Sequence, residues 1–270
     1  MIIREIRCRS ILTRSGIPEV DYALNPYVGC EHGCRYCYAD FMKRFTGHVE
    51  EWGTFVDVKV NADEILTRQL RRIRPGNISF GTVTDSYQPI ELKYGITRQC
   101  LLELTKYDYP VSILTKSALV LKDIDLLMKL KEIEVGFTIT TLDDDIKHIF
   151  EPKSSSSWER LDAIRELSQK RIKTWVFFGP VLPYFSDRED KIERLFTEAT
   201  KAGTDYILVD SLNLYPKVWN KVRTVLHKYF PYALDTYRFY HQNKLQYQEE
   251  LKDKIAAIGT KLGISYRFAF

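Results

Sequence analysis

The sequence lacks any apolar run approaching the roughly 20 residues that cross a bilayer, so no membrane helix is expected. It opens MIIREIRCRS, which has no apolar h-region, so no secretory leader is expected and the reading is a cytoplasmic protein. Glycine (13 of 270 residues) and proline (10) stay at ordinary globular levels, and no Pro/Gly/Ser-rich linker divides the chain. Collagen-like and low-complexity structure are thereby excluded. Neither sign of charge dominates: 40 Lys and Arg against 36 Asp and Glu leave a net +4. Cysteine is scarce and odd in number, at Cys8, Cys30, Cys34, Cys37 and Cys100. An odd count without a leader argues against a disulfide framework.

What is present is globular: 44% hydrophobic and 28% charged residues, rich in Tyr (17) and Phe (14). A chain of this size buries about three quarters of its extended surface. The charge is uneven. Residues 211–270 hold ten Lys or Arg and four Asp or Glu. Arg4, Arg7, Arg9 and Arg14 form a second group, and Arg68, Arg71, Arg72 and Arg74 a third. Such groups read as solvated helix faces or as a weak attraction for polyanions.

Short apolar runs alternate with helical patterns. Residues 78–83, 111–114, 133–138, 174–178 and 206–209 read as strands. Residues 95–107, 121–131, 158–170 and 188–202 read as helices. The alternation signals βαβ units and a parallel sheet, either an open doubly wound sheet or a barrel. Residues 216–263 read as two helical patterns broken at Pro231, followed by a strand-like end. The expected organisation is a core over 1–212 with a helical extension over 213–270 packed on the same domain.

The chemistry is expected in Asn25-Pro26-Tyr27-Val28-Gly29-Cys30-Glu31-His32-Gly33-Cys34-Arg35-Tyr36-Cys37-Tyr38-Ala39. Its cysteines are spaced C-x3-C-x2-C. Thiolates are soft ligands, and a fully ligated cubane cluster takes four cysteines. Three on one loop leave one iron open, as a catalytic zinc site keeps an open position. A structural zinc site would want a fourth ligand, and His32 lies inside the loop, where it cannot easily close a tetrahedron. A four-cysteine cluster would need distant Cys8 or Cys100.

The C-x3-C-x-aromatic-C spacing resembles the signature of the radical SAM superfamily. NPYVGCEHGCRYCYAD resembles its spore photoproduct lyase-like branch, as do Thr84-Asp85-Ser86-Tyr87-Gln88-Pro89-Ile90-Glu91, Ile113-Leu114-Thr115-Lys116-Ser117, Phe137-Thr138-Ile139-Thr140-Thr141, Glu151-Pro152 with Arg160, and Gly179-Pro180-Val181-Leu182-Pro183. The resemblance implies a partial (β/α)6 TIM-type barrel with a helical C-terminal cap. It implies a [4Fe-4S] cluster on Cys30, Cys34 and Cys37, and S-adenosylmethionine (SAM) cleaved reductively to a 5′-deoxyadenosyl radical. The implied reductant is a ferredoxin or flavodoxin. Implied SAM contacts are Tyr36 beside the adenine, Thr84 and Asp85 at polar groups, Lys116 at the carboxylate and Thr138 at the ribose or carboxylate. Arg160 reads as a helix-surface arginine and Cys100 as a buried helical thiol. Cys8, on an Arg-rich N-terminal strand, has no assigned role.

The resemblance departs at one place. Its best-known members carry a hydrogen-donating cysteine near the end of the second strand, where this chain has Thr82-Val83-Thr84-Asp85. A hydroxyl O–H bond is much stronger than S–H, so repair of the spore lesion is not expected. The substrate stays unassigned, with nucleic acid open. The competing reading is a non-catalytic iron–sulfur or zinc protein that binds nucleic acid through its basic, aromatic C-terminal segment.

Overall fold

Val111-Ser112-Ile113-Leu114-Thr115 alternates buried and half-buried positions, the period-two pattern of a strand. The same logic recurs in the other strands. The computed structural model describes residues 1–270 and divides into two units.

The first unit comprises Met1–Gly33, Ala39–Gly136 and Gln169–Lys173. Its strands are β1 (Ile2–Ile6), β2 (Leu12–Arg14), β3 (Tyr22–Leu24), β4 (Tyr27–Val28), β5 (Phe55–Lys59), β6 (Ile78–Phe80), β7 (Val111–Thr115) and the start of β8 (Ile133–Thr138). Its helices are α1 (Lys43–Thr46), α2 (Ala62–Leu70), α3 (Glu91–Tyr94), α4 (Ile96–Leu104) and α5 (Ile124–Leu127). β1, β5 and β4 form one small sheet, with β1 parallel and β4 antiparallel to β5. A second run is ordered β7-β6-β3-β2, parallel except for β2. Phe80 and Ile113 are fully buried in it, as is Val135 in β8.

The second unit comprises Cys34–Tyr38, Phe137–Ser168 and Thr174–Phe270. It holds the end of β8, α6 (Asp144–Phe150), most of α7 (Ser157–Gln169) and of β9 (Lys173–Val181), α8 (Glu189–Ala202), β10 (Tyr206–Ser211), α9 (Pro216–Tyr229), α10 (Leu234–Gln242), α11 (Lys244–Leu262) and β11 (Tyr266–Phe268). β9, β10 and β11 are parallel neighbours, so residues beyond 212 add a strand as well as helices. Parallel strands joined through helices make the fold α/β.

Three expectations need correction. The helix expected over 121–131 is a 3-10 segment, Ala118–Asp123, followed by the single turn α5. Ser117 starts it by accepting the Leu119 N–H, and Asp123 is drawn inward to Tyr87 and Arg98. The strand expected to reach Val83 stops at Phe80, because Gly81 takes φ +83° and turns the chain. Two helical patterns in the C-terminal segment are three helices, since Asn243 separates α10 from α11.

Candidate active site and cysteine loop

The cysteine loop leaves β4 at Val28 and needs glycine at once. Gly29 has φ +85°, and a Cβ there would lie 2.4 Å from the Phe55 carbonyl oxygen. Only glycine lets the loop lie this close to β5. Gly53 (φ +100°) approaches Gly33 in the same way: a Cβ on Gly53 would meet the Gly33 Cα at 2.7 Å. None of the five cysteines is in a disulfide; Cys30 and Cys34 are buried and Cys37 half-buried. Gly33 N–H bonds the Cys30 carbonyl (3.3 Å) and Cys37 N–H the Cys34 carbonyl (3.2 Å), so the loop is two successive turns. No three His, Cys, Asp or Glu side chains are gathered tightly enough to hold a single ion.

In the first unit the loop is held from its backbone and from His32. The Thr84 hydroxyl donates to the Gly29 carbonyl at 2.5 Å and accepts from Gln88 Nε2 at 3.0 Å. The other end of the Gln88 amide accepts the Glu31 N–H at 2.8 Å, and the Glu31 carboxylate accepts the Ile90 N–H at 2.6 Å. His32, 2% exposed, places Nε2 3.2 Å from Asp85 Oδ2. Asp85 also accepts the Thr115 hydroxyl (2.7 Å), the Lys116 N–H (2.8 Å) and the Tyr87 N–H (2.9 Å). Burial alone would raise its carboxyl, but the His32 charge and these hydrogen bonds outweigh burial and hold it well below the usual carboxylate range.

In the second unit the anchor is ionic. The Tyr36 hydroxyl donates to Glu151 Oε1, which also accepts the Thr140 hydroxyl at 3.0 Å. Glu151 Oε2 takes Arg160 Nη2 at 2.6 Å, and both side chains are fully buried. Arg160 is therefore not the surface arginine expected. The turn of α7 puts it inward, where Nη1 meets the Thr138 carbonyl (2.6 Å), Nε the Ser155 carbonyl (3.1 Å) and Nη2 also the Ser154 hydroxyl (2.5 Å). A guanidinium stays charged when buried, so its burial is tolerated only where a carboxylate and further acceptors meet its donors. Burial, then the Glu151 charge, push the Tyr36 phenol well above its usual range.

The sequence-derived SAM contacts thus divide. Thr84 and Asp85 spend their polar atoms on the cysteine loop and on β7. Tyr36 lies in an apolar cluster with Cys34, Phe150 and Phe185. Lys116 is half-buried at the end of β7, and Thr138 is 1% exposed at the end of β8. Cys100 is fully buried in α4, as expected, and Cys8 follows β1 with its backbone clamped by Asn61. Thr82 accepts a hydrogen bond from Asn25 Nδ2 at 2.9 Å. Sequence reasoning missed Gln88 and the support role of His32. The short separation from Asp85 that defines that role exists only once β6 and the loop are folded.

Known proteins share this chain's sequence pattern and fold. The model of the radical SAM superfamily matches residues 24–196. An uncharacterised protein of Methanocaldococcus jannaschii is 33% identical over 96% of this chain and 94% of its own length. A protein of Pseudomonas phage M6 named radical SAM Nalpha-GlyT isomerase is 28% identical over 68% of this chain and 38% of its own. Among solved structures, spore photoproduct lyase is similar in fold. A tyrosine-to-phenylalanine variant has a TM-score of 0.73, at 16% identity over 99% of this chain and 82% of that one. The complex with dinucleoside spore photoproduct has a TM-score of 0.65, at 19% identity, over 84% of this chain and 66% of that one. The α/β fold class of the radical SAM type is the one found, and no helix is long and apolar enough to cross a membrane.

Proposed function

The chain belongs to the radical SAM superfamily, and from that premise we propose that Cys30, Cys34 and Cys37 hold a [4Fe-4S] cluster with one iron left open for SAM. The observation that carries this is a loop bearing three cysteines, all outside disulfides, tied down on both flanks by buried polar side chains. A zinc ion would draw its ligands into one small tetrahedron, whereas a multi-iron body keeps its thiolates further apart. When bound, the cluster and SAM supply a one-electron cleavage that gives methionine and a 5′-deoxyadenosyl radical, which abstracts hydrogen from a substrate.

The chain's own residues then have positioning tasks. His32, Asp85, Thr84 and Gln88 fix the Cys30 turn. Tyr36, Glu151 and Arg160 fix the Cys34–Cys37 turn. Lys116 serves the SAM carboxylate as a point charge, and Thr138 serves its ribose or carboxylate. Thr84, Asp85 and Tyr36 enter mainly as supports for the loop, because their polar atoms already have protein partners. The substrate class we favour is nucleoside-like, supported by the dinucleoside bound in the lyase structure of similar fold. Spore photoproduct repair is outside the proposal, because Thr82 supplies no thiol.

Anaerobic reconstitution tests the cluster. Iron and sulfide should both reach about four per chain, and the electron paramagnetic resonance of the reduced cluster should change when SAM is added. One bound zinc without sulfide would refute the assignment.

A further inference from the structure

A cluster on partly buried thiols has to be reduced from outside, and electron transfer weakens exponentially with distance. The donor must therefore dock where packed protein links the surface to the cysteines by a short route. The second unit contains such a route. Phe150 accepts the Arg35 N–H at 2.9 Å through its carbonyl, within the turn between Cys34 and Cys37. Its ring lies 5.7 Å from that of Phe185 and 6.2 Å from, and parallel to, that of Phe230. Phe185 and Phe230 are 4.8 Å apart. These rings share one buried cluster with Cys34 and Tyr36, and Cys37 and Trp219 pack against it.

The cluster opens on an aromatic surface. Tyr184, Tyr229 and Tyr232 are 45%, 46% and 63% exposed. Tyr232 packs 5.4 Å from Tyr184 and 6.1 Å from Phe230. Tyr184 takes φ +72°, a strained conformation for a bulky residue. It holds the Tyr184 ring outside while the next residue, Phe185, is buried. The helix that leads into this surface is cationic. α9 buries Val218, Val222, Val225 and Leu226 in the cluster and carries Lys217, Lys221, Arg223, His227 and Lys228 with no Asp or Glu. Lys217, Lys221 and Lys228, at spacings of four and seven, share one helix face. Lys228 Nζ lies 4.8 Å from the Tyr229 ring centre.

Building on the cluster reading, we propose that the lysine stripe of α9 with Tyr229, Tyr232 and Tyr184 is the docking surface for a small acidic one-electron carrier of the flavodoxin or ferredoxin kind. Positive charge steers an acidic partner, and exposed tyrosines anchor interfaces. One electron leaves the carrier's reduced cofactor and enters the cluster, so the carrier is oxidised by one electron for each SAM cleaved. A nucleic-acid strand would stack on such rings without needing any packed route from them to the cysteines, and the contacts among Phe150, Phe185 and Phe230 supply that route.

The test measures binding of oxidised flavodoxin to the chain, with and without its cluster, by interferometry at several salt concentrations. The variants are Lys217→Glu/Lys221→Glu/Lys228→Glu and, as a control on another basic surface, Arg71→Glu/Arg72→Glu/Arg74→Glu. The stripe variant should raise Kd by about tenfold or more and flatten its salt dependence, with the control within about twofold. 5′-Deoxyadenosine release driven by dithionite should be unchanged in the stripe variant, while release driven by reduced flavodoxin should fall about tenfold. Equal binding by wild type and stripe variant, or equal loss in the control, would overturn the proposal. So would a single-stranded oligonucleotide that binds wild type more tightly than flavodoxin and loses that affinity in the stripe variant. Absence of dithionite-driven release in wild type would count against the cluster reading instead.

Discussion

His32 Nε2 stands 3.2 Å from Asp85 Oδ2, which ties a residue lying between two cysteines to the segment that follows β6. Asp85 is also the acceptor for Thr115, the Lys116 N–H and the Tyr87 N–H. Asp85→Ala leaves the buried His32 Nε2 without its neighbouring carboxylate and three donors unsatisfied. The expected loss of folding stability is about 3–5 kcal/mol, read by urea unfolding of the cluster-free chain. Asp85→Asn keeps the shape and some acceptors, so its cost should be smaller. A cost under about 1 kcal/mol for the alanine variant would show that the pair supports nothing.

Arg160 and Glu151 form the matching anchor for Tyr36. Arg160→Ala strands a buried carboxylate and should cost about 3–5 kcal/mol. The double change Arg160→Met/Glu151→Gln removes both charges and should be milder. The two proteins are compared by denaturant midpoint and slope.

Legibility in the sequence followed distance along the chain. The cysteine spacing and the strand–helix alternation are local, so they could be read directly. The glycine at 29 was visible, but its reason, the Phe55 carbonyl, comes from another strand. Arg160 reads as a surface arginine because α7 alternates polar residues around its circumference; only tertiary placement buries it beside Glu151. Thr84 and Asp85 entered as SAM contacts implied by the family resemblance, while their direction, toward the loop, depends on β6 and β7 being side by side. The helix expected after Ser117 failed because Asp123 satisfies Tyr87 and Arg98 rather than continuing the helical face.

Asp210, half-buried at the end of β10, gives a pH-dependent prediction. Burial raises its carboxyl from the ordinary value of 3.8 to about 6, against smaller opposing effects of the Ser211 N–H and the Lys244 charge. Between these two values the unfolded chain ionises this group and the folded chain does not. Its contribution to stability is therefore neutral below pH 3.8, falls as pH rises through the window and is constant above about 6. Asp210→Asn should match wild type near the low end of the window and exceed it by about 1–3 kcal/mol at pH 8. Urea unfolding at the two pH values measures this, and an equal difference at both would contradict it.

The cysteines should separate cleanly. Cys30→Ala, Cys34→Ala and Cys37→Ala should each lose the cluster's visible absorbance and most of its iron. Cys8→Ala and Cys100→Ala should retain both, because Cys100 is wholly buried in α4 and Cys8 lies after β1. Iron analysis after anaerobic reconstitution and desalting decides between this and a four-cysteine cluster, which would add one of the latter pair to the losses.

The most direct measurement is chromatographic detection of 5′-deoxyadenosine after the reconstituted protein is incubated anaerobically with SAM and dithionite. The account predicts release that requires both SAM and reductant, accompanied by methionine, and that is absent in Cys34→Ala. A chain carrying a full complement of iron and sulfide that leaves SAM intact under these conditions would contradict it.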